Sequence, residues 1–148
     1  MSEGFFWRNL VPGSSREHEL TAILGPVDRR VDHATFARLE RLVQLSWYDQ
    51  TTTAYLSDKG ILALLIIAGL STKSDLPTAP APWTERFGKP AAILPSALDK
   101  PAREHVFPRL GLTLVIRSER VEQVRLFPPC SLDDYHANLY ITPPVFRK

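Results

Sequence analysis

Apolar and polar residues recur with three different rhythms along this chain, and each rhythm predicts a different kind of element. Ser57-Asp58-Lys59-Gly60 is followed by Ile61 to Leu70, ten consecutive residues without a polar side chain. Such a run must be hidden from water. It is shorter than the roughly 20 residues that cross a bilayer, so it predicts a helix over about 57–72, capped by Ser57 and surrounded by protein. Upstream, Ser14 and Glu17 have capping-box spacing, and Leu20, Ile23 and Leu24 form an apolar stripe that stops at Gly25-Pro26. A short helix over 15–24 follows. Phe36, Leu39, Leu42 and Val43 then recur at helical spacing, with Arg38, Glu40, Arg41 and Gln44 between them, which predicts an amphipathic helix from Asp32 to about Trp47. The threonine-rich stretch between the two helices, ending at Tyr55-Leu56, favours a small hairpin.

The rhythm changes after Thr72. Pro77, Pro80 and Pro82 alternate with Ala and Thr, and proline recurs as far as Pro108, which predicts a connector over 75–108 with at most a short helix near 96–105. From Gly111 the period is two. Leu112, Leu114 and Ile116 define one strand, Val124 and Leu126 a second beyond the turn Ser118-Glu119-Arg120, and Leu139 and Ile141 a third over 137–142. Three short strands need a helical cover. The expected fold is therefore α+β: one compact domain over 1–148, with N-terminal helices (1–74) packed on a small antiparallel C-terminal sheet (109–148). No internal repeat is visible in the sequence.

Composition narrows the function classes. The 18 basic and 16 acidic residues divide evenly, eight and eight before residue 75 and ten and eight after it. A concentrated cationic footprint of the kind that dominates nucleic-acid binding is thus at most local. Cys130 is the single cysteine, so neither an intramolecular disulfide nor a four-thiolate metal site can form, and a cytoplasmic location is expected. The N-terminus lacks the features of a secretory signal, and no membrane association is expected. The glycines stand in no phosphate-loop spacing, and the four histidines (His18, His33, His105, His136) stand in no zinc spacing, so no cofactor and no metal are expected.

Three groups of side chains carry candidate chemistry. Phe5, Phe6 and Trp7 at the start, with Trp83 and Phe87 in the proline-rich stretch, are large aromatics in irregular segments and are candidate anchors for a protein partner. Arg29, Arg30, Arg38 and Arg41 form the local basic cluster, with Gln44 beside them. Cys130, Asp133, Asp134 and His136 put a thiol, carboxylates and an imidazole in one loop, the residue types of a nucleophile and its base; the alternative is a buried thiol followed by turn-forming aspartates.

The stretch Leu39 to Tyr48, continued from Asp49 through Tyr55-Leu56-Ser57-Asp58-Lys59-Gly60 to Leu65, resembles the back half of winged-helix regulators. In those proteins a recognition helix precedes a two-stranded wing, and a Leu-Ser/Thr-x-x-Gly phrase opens the next helix. The resemblance implies a winged-helix-like element over 32–72. It fits a DNA-binding transcriptional regulator in which Arg38, Arg41 and Gln44 read bases while Arg29 and Arg30 hold phosphates.

The leading expectation is a non-enzymatic interaction factor, of an adaptor, inhibitor or immunity type, that occupies a partner's surface. Another protein is its expected partner, and a homodimer is left open. The alternatives are the DNA-binding regulator and a small Cys130/His136-dependent enzyme.

Overall fold

A computed structural model describes residues 5–71, 74–96 and 101–141. Three short helices, α1 (Glu17–Leu24), α2 (Pro80–Phe87) and α3 (Leu132–Asn138), accompany eight strands. The strands are β1 (Arg29–Phe36), β2 (Leu39–Trp47), β3 (Thr52–Leu56), β4 (Leu62–Ala68), β5 (Ala92–Pro95), β6 (Arg103–Phe107), β7 (Leu112–Arg117) and β8 (Arg120–Leu126). All eight form one antiparallel sheet in the order β1-β2-β3-β4-β8-β7-β6-β5. This replaces the expected N-terminal helices on a small C-terminal sheet. The winged-helix-like element over 32–72 does not exist, because that region is the meander β1 to β4.

The apolar run from Ile61 is the central strand β4, not a helix. Leu62, Leu65 and Ile67 belong to the core on one face, while Leu64 and the half-buried Ile66 pack on the other. A strand covered on both faces loses its alternation and reads as an unbroken apolar run, like a buried helix. The periodicity over 32–47 has a different origin. β1 and β2 pair with register shifts between Val31 and Ala34 and again between Ala34 and Phe36, and His33, Ala37 and Arg41 have positive φ. Each bulge moves the apolar phase by one residue, which imitates a helical stripe.

The proline-rich stretch is not a connector. Pro80 opens α2, where a fixed φ suits the first turn and no amide is needed. The segment then supplies β5 and β6, so the helix expected near 96–105 is in part strand β6, with residues 97–100 outside the described set. The third expected strand, 137–142, is instead the end of α3 and the coil after it, with Thr142 outside the described residues. The Ser131 hydroxyl accepts the Asp134 amide at 3.1 Å and starts that helix. The helix 15–24, strands β7 and β8 and the turn between them are where the pattern places them.

Chain order reveals a repeated plan. A helix closed by a glycine precedes four meandering strands twice: α1 with β1–β4, then α2 with β5–β8. Gly25 (φ 88°) donates its amide to Thr21, and Gly88 (φ 78°) donates to Thr84. The β3–β4 hairpin slips register at Tyr55/Leu56, and the β7–β8 hairpin slips at Val115/Ile116. The two meanders join through the antiparallel pairing of β4 with β8.

The larger core lies where α1, α2 and the segment from Phe5 to Ser15 cover one face, and there Leu20, Leu24 and Trp83 join Leu45, Leu65 and Val124. Main-chain bonds sew that segment down: Gly13 donates to Leu62, and Leu62 to Ser15, both at 2.7 Å. On the opposite face α3 brings Tyr135 and Leu139 against Leu64, Val106 and Phe127. No helix among the described residues is long and apolar enough to cross a membrane.

Candidate interaction surface

Five aromatics from two distant segments, Phe5-Phe6-Trp7 and Trp83 with Phe87, meet around one hollow. The Phe5 amide donates to the Leu110 carbonyl at 2.9 Å, which lays the N-terminal segment beside α2. Phe5 then contacts Trp83 (ring centroids 5.3 Å) and Phe87 (5.6 Å, interplanar angle 89°), and Phe87 reaches Phe107 at 6.3 Å. Edge-to-face contacts of this kind add to the area buried. The Trp83 indole donates to the Pro77 carbonyl at 3.1 Å, and the Trp7 indole donates to Asp75 at 3.0 Å. Phe5, Trp7 and Trp83 are buried, Phe87 is half-buried, and Phe6 is 38% exposed.

These side chains line a hollow of about 220 Å³ that also includes Arg8 and Asp75. Sharing Arg86 and Phe87, a second and wider hollow of about 610 Å³ continues over Phe107, Leu110 and Leu132. Together they make a furrow with an apolar floor. Its rim carries Arg86, Lys89 and Arg109, all exposed, and among the described residues no acidic one lines the wider hollow. The Arg86 guanidinium lies 4.8 Å from the Phe87 ring centroid and 5.6 Å from that of Phe5.

Asp75 holds the narrow end. Arg8 Nε donates to the same carboxylate at 2.9 Å. Burial pushes this carboxyl up, but the hydrogen bonds from Arg8 and Trp7 and the charge of Arg8 outweigh it, leaving Asp75 below its ordinary value of 3.8. A depressed carboxyl contributes stability that is present above its unfolded pKa and lost as pH falls through its folded one. The N-terminal anchor is therefore expected to loosen below about pH 3.8. Acid titration followed by hydrogen exchange at the Trp7 indole checks this, and Asp75→Asn is expected to abolish the step.

The cations proposed as base and phosphate readers lie on no recognition helix. Arg29 and Arg30 are on β1, Arg38 in the β1–β2 turn, and Arg41 and Gln44 on β2. Arg30 is bound to Glu17 (2.9 Å) and Asp32 (3.2 Å). Gln44 sits mid-sheet, paired with Val31 and Tyr55. Cys130 is half-buried, and burial, then the charge of Asp134, push its thiol up, the reverse of activation. His136 is exposed on α3 with its ring against Tyr140.

Sequence reading missed a buried polar cluster on the opposite face. Glu104 on β6, Thr113 on β7, Arg125 on β8 and Tyr135 on α3 are each less than 5% exposed. The Tyr135 hydroxyl donates to Glu104 at 2.7 Å and accepts from Thr113 at 3.1 Å, while Arg125 stands 3.6 Å from Glu104. Burial pushes the Glu104 carboxyl up against the pull of Arg125 and Tyr135. Burial, followed by the charge of Glu104, raises the Tyr135 phenol, which stays a donor. The cluster welds α3 to the sheet, and Arg125 also lines a hollow of about 390 Å³ with Ser96, Val115 and Gln123. The furrow rim was also missed, although Trp83-Thr84-Glu85-Arg86-Phe87-Gly88-Lys89 interleaves aromatics and cations.

With this geometry in place, comparison with known proteins becomes informative. The fold recurs in a solved bacterial protein. The crystal structure of a DUF4309 family protein, YjgB from Bacillus subtilis, is similar over 82% of this chain and 83% of that one, with a TM-score of 0.56 and 16% identity. No protein-family profile and no curated protein matches this chain. At that identity the likeness to YjgB concerns the fold alone. It agrees with the single eight-stranded sheet and disagrees with a winged helix.

Proposed function

We propose that this protein is a non-enzymatic interaction factor that acts by occupying a partner's surface, and that the furrow beside α2 is its contact surface. The observation that supports this reading is the convergence of the five aromatics on one open, apolar-floored furrow. Aromatic-rich, well-packed patches ringed by polar groups are where binding energy concentrates at protein interfaces. Within the furrow Phe5, Trp7 and Trp83 act as a rigid floor because they are already buried. Phe6, the half-buried Phe87 and the wider hollow are the parts left to a partner.

Site-specific photocrosslinking in the native host tests the reading. A photoreactive residue at Phe6 or at Ala91, which is exposed and lines the wider hollow, is expected to give a discrete protein adduct. The same group at Arg29, exposed on the far edge strand β1, is expected to give none. Equal labelling at all three positions, or none at Phe6 and Ala91, would count against the furrow.

A further inference from the structure

Resting on that reading, we infer that the furrow takes an acidic segment of a protein partner, whose carboxylates meet Arg86, Lys89 and Arg109 while a neighbouring apolar side chain enters the wider hollow. Three observations carry this. First, the three cations ring one hollow, and none of them makes an ion pair among the described residues. Arg8, Arg30, Arg117 and Arg125 each face a carboxylate within 4 Å; the rim cations share the lack of an ion pair with Arg29, Arg38 and Arg41 among the described residues, and differ from them in ringing an apolar hollow. Second, the hollow is lined by Phe87, Phe107, Pro108, Leu110 and Leu132 and, among the described residues, by no acid, so the charge that these residues present is positive over an apolar floor. A carboxylate that lands there gains cations without displacing an internal partner.

Third, the geometry favours peptide over nucleic acid. Arg86 already lies over the Phe87 and Phe5 rings, which leaves those faces closed to a stacking base. Backbone tracking on a nucleic acid needs cations in file along a groove, whereas these three surround one hollow of about 610 Å³. An acidic residue beside a Leu or Phe satisfies both rim and floor. Charge complementarity of this kind sets encounter rate and partner choice.

Selection of a random peptide display library against the full chain, followed by anisotropy measurements on the recovered peptides, tests the inference. Recovered peptides are expected to be enriched in Asp and Glu next to a large apolar residue. Their affinity is expected to fall about tenfold or more between low and high salt, because exposed charge pairs are screened. The exposed double variant Arg86→Glu with Arg109→Glu is expected to lose at least a comparable factor, and Ala91→Trp, a neutral plug for the hollow, is expected to block binding. Peptides without acidic bias, or acidic peptides indifferent to the charge reversal yet blocked by Ala91→Trp, would overturn the acidic segment and leave the contact surface standing. Binding that survives Ala91→Trp, or a library that yields no peptide, would overturn both. A single-stranded oligonucleotide that outcompetes the recovered peptides would replace the acidic segment by nucleic acid.

Discussion

Glu104→Ala is expected to destabilise the fold by about 3–5 kcal/mol, the range seen when one partner of a buried ion pair is removed. Arg125 is 4% exposed, and a guanidinium cannot discharge by losing a proton. Without Glu104 it keeps only Gln123 and the ring of Phe36, 5.7 Å away, for company. Arg125→Ala is expected to cost less, because an abandoned Glu104 can take up a proton and its carboxyl is already raised by burial. Glu104→Gln keeps an acceptor for the Tyr135 hydroxyl and is expected to be the mildest of the three. Urea unfolding followed by tryptophan fluorescence ranks them, and a Glu104→Ala protein within about 1 kcal/mol of the parent would show that the cluster is open to water. The pH dependence has a definite sign. A carboxyl raised in the folded state contributes stability below its ordinary value of 4.5 that is lost as pH climbs through the raised value. The parent is thus expected to lose this contribution as pH climbs above 4.5 through the raised value, and Glu104→Gln is expected to show a flatter profile over that range.

Gly111→Ala is expected to be nearly as damaging, at about 3 kcal/mol or more, from left-handed strain plus a forced backbone displacement. Gly111 has φ 66°, and an added Cβ would lie 2.0 Å from the Phe127 carbonyl oxygen. That neighbour is main chain and cannot rotate away. The Phe127 amide donates to the Gly111 carbonyl at 3.0 Å, so any shift also breaks the bond that joins the start of β7 to the end of β8. Gly25→Ala is the matched control: its φ is 88°, yet nothing lies within 4 Å of the added carbon. With ψ −169° Gly25 lies in a region that side-chain-bearing residues avoid, and the substitution is expected to cost about 1–3 kcal/mol, backbone strain without a clash. Thermal unfolding of the pair measures the difference, and equal losses would show that the close approach at Gly111 relaxes freely.

The particular elements show how much was legible. β7 and β8 could be read directly, because Leu112, Leu114, Val124 and Leu126 alternate with residues of other character and the turn Ser118-Glu119 tolerates positive φ. α1 was legible through its stripe and its glycine stop. β4 was not, because burial on both faces erases the alternation that distinguishes strand from helix. β1 and β2 misled for the opposite reason, since bulges at His33 and near Ala34 and Phe36 imposed a false helical period. The duplicated plan was present as Thr21-x-x-x-Gly25 and Thr84-x-x-x-Gly88, but a threonine four positions before a helix-ending glycine is too common a pattern to stand out. The aromatic members of the furrow could be singled out because Phe5, Phe6, Trp7, Trp83 and Phe87 were unexplained by any predicted element. The Glu104 cluster could not, since its residues are scattered and only strand pairing and α3 bring them together; of the rim, Arg86 and Lys89 stand beside Phe87 in the sequence, but only the fold adds Arg109.

By itself, the sequence determined that the Ile61 run leaves water, that the chain turns at Ser118-Glu119, and that Cys130 has no partner for a disulfide within the chain. Those properties depend on side-chain character and neighbours a few positions away. Only the tertiary structure decided that the Ile61 run is a strand at the centre of one sheet, that Arg125 is buried against Glu104, and that Phe5 and Phe87 share a furrow. Each depends on which strands pair and in what register, and that pairing is set by contacts between segments distant along the chain, which no local rhythm encodes.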